Sequence, residues 1–325
     1  MSKTDQPLVS VVTPVLNGDR YLDECIQSVL NQKYRNWEYI ILNNCSTDRT
    51  PAIAESYAAK DKRIRAFNND TQLPIMKNWN RALSYISPES KYCKIVHADD
   101  LLFPECIDRM VSLAEAYPTV GIVGSYCLWG NRVVSGGLPY SENFFSGKDI
   151  CRLTLLDKFY CFWSPSSLLI LSDLIRSRSC FYDERHLHAD DEVCYELLKA
   201  SDFAFVHQVL TFIRRHDESM TSTVANPLNV IILNNLDLFL RYGPVYLSPE
   251  EYRSHLRYKF FDYYRFLAQS LFQLRERRFW EYHKSTLKDM GIPLSMVKLT
   301  TVAFREFLCR PPAMLKLLFS ALTKN

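Results

Sequence analysis

The first hundred residues alternate between short apolar runs and longer segments of helical period. "LVSVVTPVL" at 8–16 is rich in β-branched residues and predicts a buried strand. "YLDECIQSVLNQ" at 21–32 places Leu22, Ile26, Val29 and Leu30 on one helical face. "WEYIILNN" predicts a second strand, ending at Asn43 and Asn44. "STDRTPAIAESYAAK" opens with the N-cap chemistry of Ser46, Thr47 and Asp48 and predicts a second helix. "RIRAFNN", "IMKNWNRALSYI" and "YCKIVHADD" continue as strand, helix and strand. Such alternation predicts a mainly parallel sheet flanked by helices, an α/β fold. Ligands of these sheets bind beyond the carboxyl ends of the strands. Asn17, Asn43, Asn44, Asp99 and Asp100 all fall at those ends.

Beyond Pro104 the pattern predicts a helix, a strand ("VGIVGSYCLW"), a loop or hairpin over 130–147, and a strand at "SPSSLLIL". "DDEVCYELLKA" reads as a helix, and "FAFVHQVLTFIRRHDESMT" as strand and loop. From about Pro227 the chain is helical and aromatic, with breaks expected at Gly243–Pro244, at 291–293 and at Pro311–Pro312. The expected division is an α/β domain over 1–226 and a helical C-terminal extension over 227–325.

Composition adds limits. The hydrophobic fraction of 47% supports a sizeable core, and a net charge of +3 is too small to imply a nucleic-acid partner. The ten cysteines show no metal-ligand spacing and no disulfide framework, which favours a reducing, cytoplasmic setting. The start lacks a secretory pattern, and no apolar run is long enough for a membrane span.

Candidate chemistry centres on one tetrapeptide that occurs twice, in "KIVHADDLLF" and "RHLHADDEVC". The first ends a strand and the second starts a helix, so they are not repeats of one unit. Adjacent carboxylates on an extended strand point to opposite faces. One of Asp99 and Asp100 can then hold Mg²⁺ or Mn²⁺ while the other reaches a different partner, although Asp100 is equally able to cap a turn. Asp190 and Asp191 suit the first turn of a helix on electrostatic grounds alone. His97, His188 and His216, each taken singly, fit a structural donor as well as a ligand.

Five segments taken in order resemble the glycosyltransferase family 2 pattern. "VSVVTPVLNGDRYLDECIQSVLNQKYRNWEYIILNNCSTDRT" is similar to its opening, and "NWNRAL" to the helix before its DxD strand. "KIVHADDLLFPE" resembles the DxD segment, "ADDEVCYELL" the helix that begins with a catalytic carboxylate, and "FIRRHDESMT" the Arg-x-His element. The resemblance covers residues 8 to about 221 and implies a GT-A fold and a metal-dependent, inverting sugar transfer. It assigns Asp99 to the metal and Asp191 to the general base. Pro14, Asn17, Asn43, Asn44, Asn80, His97, Asp100, Arg214 and His216 fall to the nucleotide sugar, with Arg215 an alternative to Arg214. The donor would be of UDP, dTDP or GDP type, and the acceptor a glycan or lipid-linked hydroxyl, as in bacterial surface-glycan synthesis. Oligomerisation is open.

Two departures stand out. The usual Asp-Asp of the family is Asn43-Asn44, which changes what that strand end can donate or accept. His97 replaces the first Asp of DxD. These leave two alternatives, a nucleotidyltransferase and a non-catalytic sugar-nucleotide binder; the sparse glycine near the first strand opposes the former, and retained Asp99, Asp100 and Asp191 oppose the latter. In the tail, "AMLKLLFSALTKN" carries Lys316, Ser320, Thr323 and Lys324 on one stripe of an otherwise apolar helix. That pattern fits peripheral contact with the inner face of the cell membrane through the C-terminal helices, or docking on the protein's own core or a second subunit.

Overall fold

All seven residues of the first strand, β1 (Val9–Val15), are buried, as befits a strand rich in β-branched residues and covered on both faces. The computed structural model describes residues 6–185, 189–217, 219, 221–309 and 311–322. The alternation continues through α1 (Leu22–Leu30), β2 (Trp37–Asn43), α2 (Thr50–Ala58), β3 (Ile64–Asn68), α3 (Ile75–Leu83) and β4 (Tyr92–Ile95). There follow β5 (Leu101–Leu102), α4 (Cys106–Ala116), β6 (Val120–Trp129), β7 (Arg132–Val134), β8 (Phe144–Phe145) and α5 (Gly147–Leu155). Then come β9 (Leu168–Leu171), α6 (Ser172–Arg176), α7 (Ala189–Leu197) and β10 (Asp202–Ile213).

The strands form one sheet in the order β3-β2-β1-β4-β9-β6-β10-β5, with β7 and β8 as side branches. β1, β2, β3 and β4 pair in parallel, as does β10 with β6. β9 runs antiparallel between β4 and β6. The fold class is therefore the expected one, a central sheet flanked by helices, with the antiparallel β9 set into its middle. This insertion carries the residues just before β9 past the carboxyl end of β4. The main core lies between the sheet and α1, α2 and α4, and includes Val11, Ile26, Val29, Ile41, Ile107 and Met110.

Several local expectations change. The strand expected through Asp100 stops at Ile95, whereas the loop or hairpin expected over 130–147 does begin as a hairpin, β7 pairing antiparallel with β6. "SPSSLLIL" begins as a single 3-10 turn (Pro165–Ser167) before β9, because the Ser164 hydroxyl caps it by accepting from the Ser166 N–H. Ser46 and Thr47 do not cap α2. They tie it to the first loop, as described below.

The chain separates into two compact units, Met1–Arg215 and His216–Asn325. The second is helical: α8 (Asn226–Leu228), α9 (Val230–Tyr246), α10 (Pro249–Phe272), α11 (Arg277–Asp289), α12 (Met296–Cys309) and α13 (Pro311–Leu322). Its core contains Leu233, Leu236, Tyr263, Leu267, Phe279, Leu287 and Leu299. The break expected at Gly243–Pro244 does not occur, since α9 runs through to Tyr246. Pro244 sits in the last turn, where its missing N–H costs a single helical bond. Gly243 is needed for a close approach: a Cβ there would lie 2.6 Å from the ring of Tyr252. α10 starts with a full capping box between Ser248 and Glu251.

Candidate active site

Three loops converge at the carboxyl ends of β1, β2 and β4. In the first, Asn17 has a φ of 50°, a conformation that Asn tolerates better than most residues. The backbone N–H groups of Asn17, Gly18 and Asp19 donate to Ser46 Oγ, Thr50 Oγ1 and Asp48 Oδ2 at 2.8, 2.8 and 3.0 Å. Asn17 Oδ1 accepts from the Thr47 N–H at 2.9 Å. Asn17 thus joins the loop after β1 to the loop after β2. Pro14 lies within β1, opposite Leu42 of β2.

Asn43 and Asn44 are buried, and their side chains are engaged within the protein. Register sets Asn43 opposite Asn68, so Asn43 Nδ2 donates to Asn68 Oδ1 at 2.8 Å. Asn43 Oδ1 accepts from the Ser46 N–H at 3.1 Å. Asn44 pairs with Leu73 in the manner of a backbone strand: its Nδ2 donates to the Leu73 carbonyl and its Oδ1 accepts from the Leu73 N–H, both at 2.8 Å. Asn69 Nδ2 donates to Asn44 Oδ1 and to Asn78 Oδ1, each at 2.8 Å. This pattern uses both ends of the Asn44 amide. An aspartate at 44 would have no proton for the Leu73 carbonyl.

The first His-Ala-Asp-Asp is a turn rather than the end of a strand. The Asp100 N–H donates to the His97 carbonyl at 3.0 Å, closing the chain on itself. The expectation that Asp99 and Asp100 point to opposite faces is therefore corrected. The turn gathers His97, Asp99 and Asp100, whose ligand atoms all lie within 4.8 Å of one another. His97, at the position where the resemblance expects the first Asp of DxD, belongs to this cluster. Asp100 is 2% exposed; its Oδ1 accepts from the Arg214 N–H at 3.1 Å, and its Oδ2 has no hydrogen-bond partner. Burial, then the charge of Asp99, push its carboxyl up to about 8, against the pull of the Ser166 hydroxyl and Arg214. His97 Nε2 is likewise buried without a partner, and burial lowers the pKa of its imidazole. Two carboxylates and one imidazole nitrogen give a mixed oxygen and nitrogen donor set open to a divalent cation such as Mn²⁺ or Mg²⁺. These residues fit a divalent cation.

Surrounding groups hold the turn in place. Ser166 Oγ accepts from the His97 N–H at 3.0 Å. Lys94 is fully buried and donates to the carbonyls of Ser166 and Leu168 at 2.6 and 3.0 Å, fixing the entry to β9. The antiparallel pairing of β10 with β5 brings Arg214 alongside. Its Nε donates to the Asp99 carbonyl at 3.0 Å and its Nη2 pairs with Glu24 at 2.6 Å. The guanidinium also lies over the Tyr21 ring at 4.5 Å. Arg214 braces the turn. Arg215 stacks on Trp129 at 4.4 Å, and His216 opens the second unit, where its carbonyl accepts from Ser222 Oγ at 2.9 Å.

The second His-Ala-Asp-Asp opens α7, as expected, with Asp191 buried. His188 lies outside the described residues. Burial first, and then the charge of Asp190, raise the pKa of the Asp191 carboxyl well above the ordinary range, while a hydrogen bond from Tyr160 Oη to its Oδ1 at 2.5 Å pulls the other way. The charge of Asp190 also acts on His97, raising its pKa against the effect of burial. Asn80 secures the approach to this helix: its Oδ1 accepts from the Tyr182 N–H and its Nδ2 donates to the Tyr182 carbonyl, both at 2.8 Å. Trp79 lies against both sides, 4.7 Å from the His97 ring and 5.5 Å from that of Tyr182. Sequence reasoning missed Lys94, Trp79, Tyr160 and Ser166. Of these only Lys94, a charge inside an apolar strand, carries a local signal.

The profile of glycosyl transferase family 2 matches residues 10–166. An uncharacterized glycosyltransferase of Methanocaldococcus jannaschii is 30% identical over 207 residues, 63% of this chain and 69% of that one. The chain belongs to glycosyltransferase family 2. Among solved structures, S. aureus TarS 1–349 in complex with UDP-GlcNAc is similar, with a TM-score of 0.59, 15% identity, and coverage of 92% of this chain and 91% of that one. The mannosyltransferase PcManGT from Pyrobaculum calidifontis, in complex with GDP-Man and Mn²⁺, gives a TM-score of 0.55 at 16% identity, covering 99% and 88%. Both likenesses concern the fold, which is of GT-A type. In this family 2 glycosyltransferase the profile match takes in the three loops and the first carboxylate pair; α7 lies beyond it.

Proposed function

We propose that this transferase moves a sugar from a UDP-, dTDP- or GDP-type donor to a hydroxyl of a glycan or lipid-linked acceptor, with inversion at the anomeric carbon. The observation that carries the proposal is the meeting of two carboxylate pairs with different environments. The His97–Asp100 turn gathers ligand atoms around partnerless buried oxygen and nitrogen atoms. Asp191, on a separate element, is a buried carboxylate whose pKa is raised, which makes it a stronger base once deprotonated. The similar structures were solved with UDP-GlcNAc and with GDP-Man and Mn²⁺, which supports a nucleotide-sugar donor and a divalent cation.

In this reading His97, Asp99 and Asp100 would hold the cation, which when bound would supply Lewis-acid stabilisation of negative charge on a diphosphate leaving group. Arg214 keeps the turn in register with β10, and Asn17, Asn43 and Asn44 shape the nucleotide end of the site. Asp191 Oδ takes the proton from the acceptor hydroxyl as it attacks. One base opposite one leaving group implies single displacement, hence inversion. Donor hydrolysis with a panel of UDP-, dTDP- and GDP-sugars tests the assignment. Hydrolysis of at least one sugar, abolished by EDTA and restored by Mn²⁺ or Mg²⁺, is expected. Pyrophosphate release from a nucleoside triphosphate and a sugar phosphate, with no donor hydrolysis, would instead establish a nucleotidyltransferase.

We further propose a bacterial surface-glycan role at the inner face of the cell membrane. No helix among the described residues is long and apolar enough to cross a membrane. α12 and α13 expose Val297, Phe304, Leu308, Phe319 and Leu322, while Met314 is buried. About twice as many Lys and Arg as Asp and Glu lie beyond Pro244, which matches an anionic lipid surface.

A further inference from the structure

A row of aromatic rings leads away from Asp191. Tyr160 donates to the Asp191 carboxyl, and its ring stands 5.7 Å from that of Trp163. Trp163 in turn lies 5.5 Å from Trp129, which carries the Arg215 guanidinium at 4.4 Å. Tyr160 and Trp163 are 37% and 36% exposed, Trp129 is half-buried and Arg215 is exposed. The residues come from three places: the segment before the turn that leads into β9, the end of β6, and the residues after β10. Large aromatic rings brought together from separate elements and left half in solvent add little to a core. They offer apolar faces with polar rims, as binding surfaces do.

We propose that Tyr160, Trp163 and Trp129 form the acceptor subsite, a stacking platform for the sugar rings of a saccharide whose attacking hydroxyl is presented to Asp191. The proposal rests on the reading of Asp191 as the base. A pyranose has a face of polarised C–H bonds that packs against the electron-rich face of an aromatic ring, and a rim of hydroxyls that seeks donors and acceptors. Tyr160 touches the group that takes the proton, so the platform begins where the nucleophile must sit. The rings are inclined to one another by 44° and 66° at centroid distances of 5.5 and 5.7 Å, so the row offers several differently oriented faces instead of one flat surface, which suits an acceptor of more than one sugar unit. At the far end Arg215 supplies N–H donors to the hydroxyl rim. A nucleobase would also stack on such rings, but the strand ends assigned to the nucleotide are those of β1 and β2, and the platform adjoins the base instead.

Saturation-transfer NMR tests this on the full chain. The probes are cellobiose, lactose, chitobiose and α-mannobiose. At least one is expected to show saturation of its ring C–H protons with the wild type. Trp163→Ala and Trp129→Ala should cut that signal at least fivefold, and Trp163→Phe should keep most of it. Trp163→Leu, which preserves apolar volume without an aromatic face, should behave as Trp163→Ala. Absence of any disaccharide signal, wild-type signals in the alanine variants, or displacement of the disaccharide by free uridine would each overturn the platform. Titration of the same wild-type sample with UDP-, dTDP- and GDP-sugars separates the two readings. Nucleotide-sugar binding without saccharide signals rejects the platform alone, whereas saccharide signals without nucleotide-sugar binding leave a saccharide-binding surface but reject the transferase reading and, with it, the acceptor role.

Discussion

At the scale of single residues, the two buried asparagines at the end of β2 show why a departure from the family can be structural. Asn44 both donates to and accepts from Leu73, so Asn44→Asp loses a donor and places a charge beside a carbonyl in a buried site. A loss of about 1–3 kcal/mol in denaturant unfolding is expected. An unchanged midpoint would show that the network is not needed. Tyr160 has a second testable role besides its ring. Its hydrogen bond lowers the Asp191 pKa, against burial and the charge of Asp190, which raise it. A base acts when deprotonated, so the rate falls as pH falls through this raised pKa. Tyr160→Phe removes the lowering contact, and the acid limb of the pH–rate profile should then move to higher pH. A limb that stays in place or moves down would contradict the assignment of Asp191. Asp99, Asp100 and Asp191 could be found from the residues because charges at a strand end and a helix start stand out. Lys94, Ser166, Trp79 and Tyr160 could not, because their roles arise from how distant segments meet.

At the scale of elements, the strands and helices of the first hundred residues were legible because each carries a single period. What no local pattern contains is the antiparallel insertion of β9 between β4 and β6, and it is this insertion that brings Ser166 to the His97–Asp100 turn. The strand expected through Asp100 ends earlier: Val96 still donates to the Val12 carbonyl of β1, and the chain turns from His97, where the apolar run stops. Among the helices of the second unit, α10 and α11 meet over a buried histidine. His283 Nδ1 pairs with Tyr263 Oη at 2.7 Å and Nε2 with the Leu228 carbonyl at 2.9 Å. Burial, the largest cause, lowers its pKa to about 4, with the Leu228 carbonyl opposing and Arg275 assisting. The unfolded chain therefore takes up a proton below about pH 6.5 while the folded one does not. Stability is fully present above that pH and declines as pH falls towards 4, by up to about 3 kcal/mol. Thermal unfolding of the wild type and His283→Asn between pH 7 and 4.5 checks this. The wild type should lose more stability on acidification than the variant, and equal losses would place the acid sensitivity elsewhere.

At the scale of the whole molecule, a family 2 transferase unit and a basic helical unit share one chain. Thr323 and Lys324 of the expected polar stripe lie outside the described residues, but the exposed apolar residues of α12 and α13 are sufficient for a test. The full chain should co-sediment with anionic liposomes at low salt. Phe304→Glu combined with Phe319→Glu should release it, because each charge would have to enter the apolar part of the interface. Failure of the wild type to sediment would dismiss the lipid surface, and a shift in sedimentation velocity without lipid would point to a second copy instead. The division of labour between the two carboxylate pairs is tested most directly by calorimetric titration of the donor, with Mn²⁺ or Mg²⁺ present, into the wild type, Asp99→Ala and Asp191→Asn. Asp99→Ala should lose metal-dependent donor binding. Asp191→Asn should bind donor as the wild type does while transfer falls by about 10²–10⁴-fold. Wild-type donor affinity in Asp99→Ala, or full transfer by Asp191→Asn, would contradict the assignment.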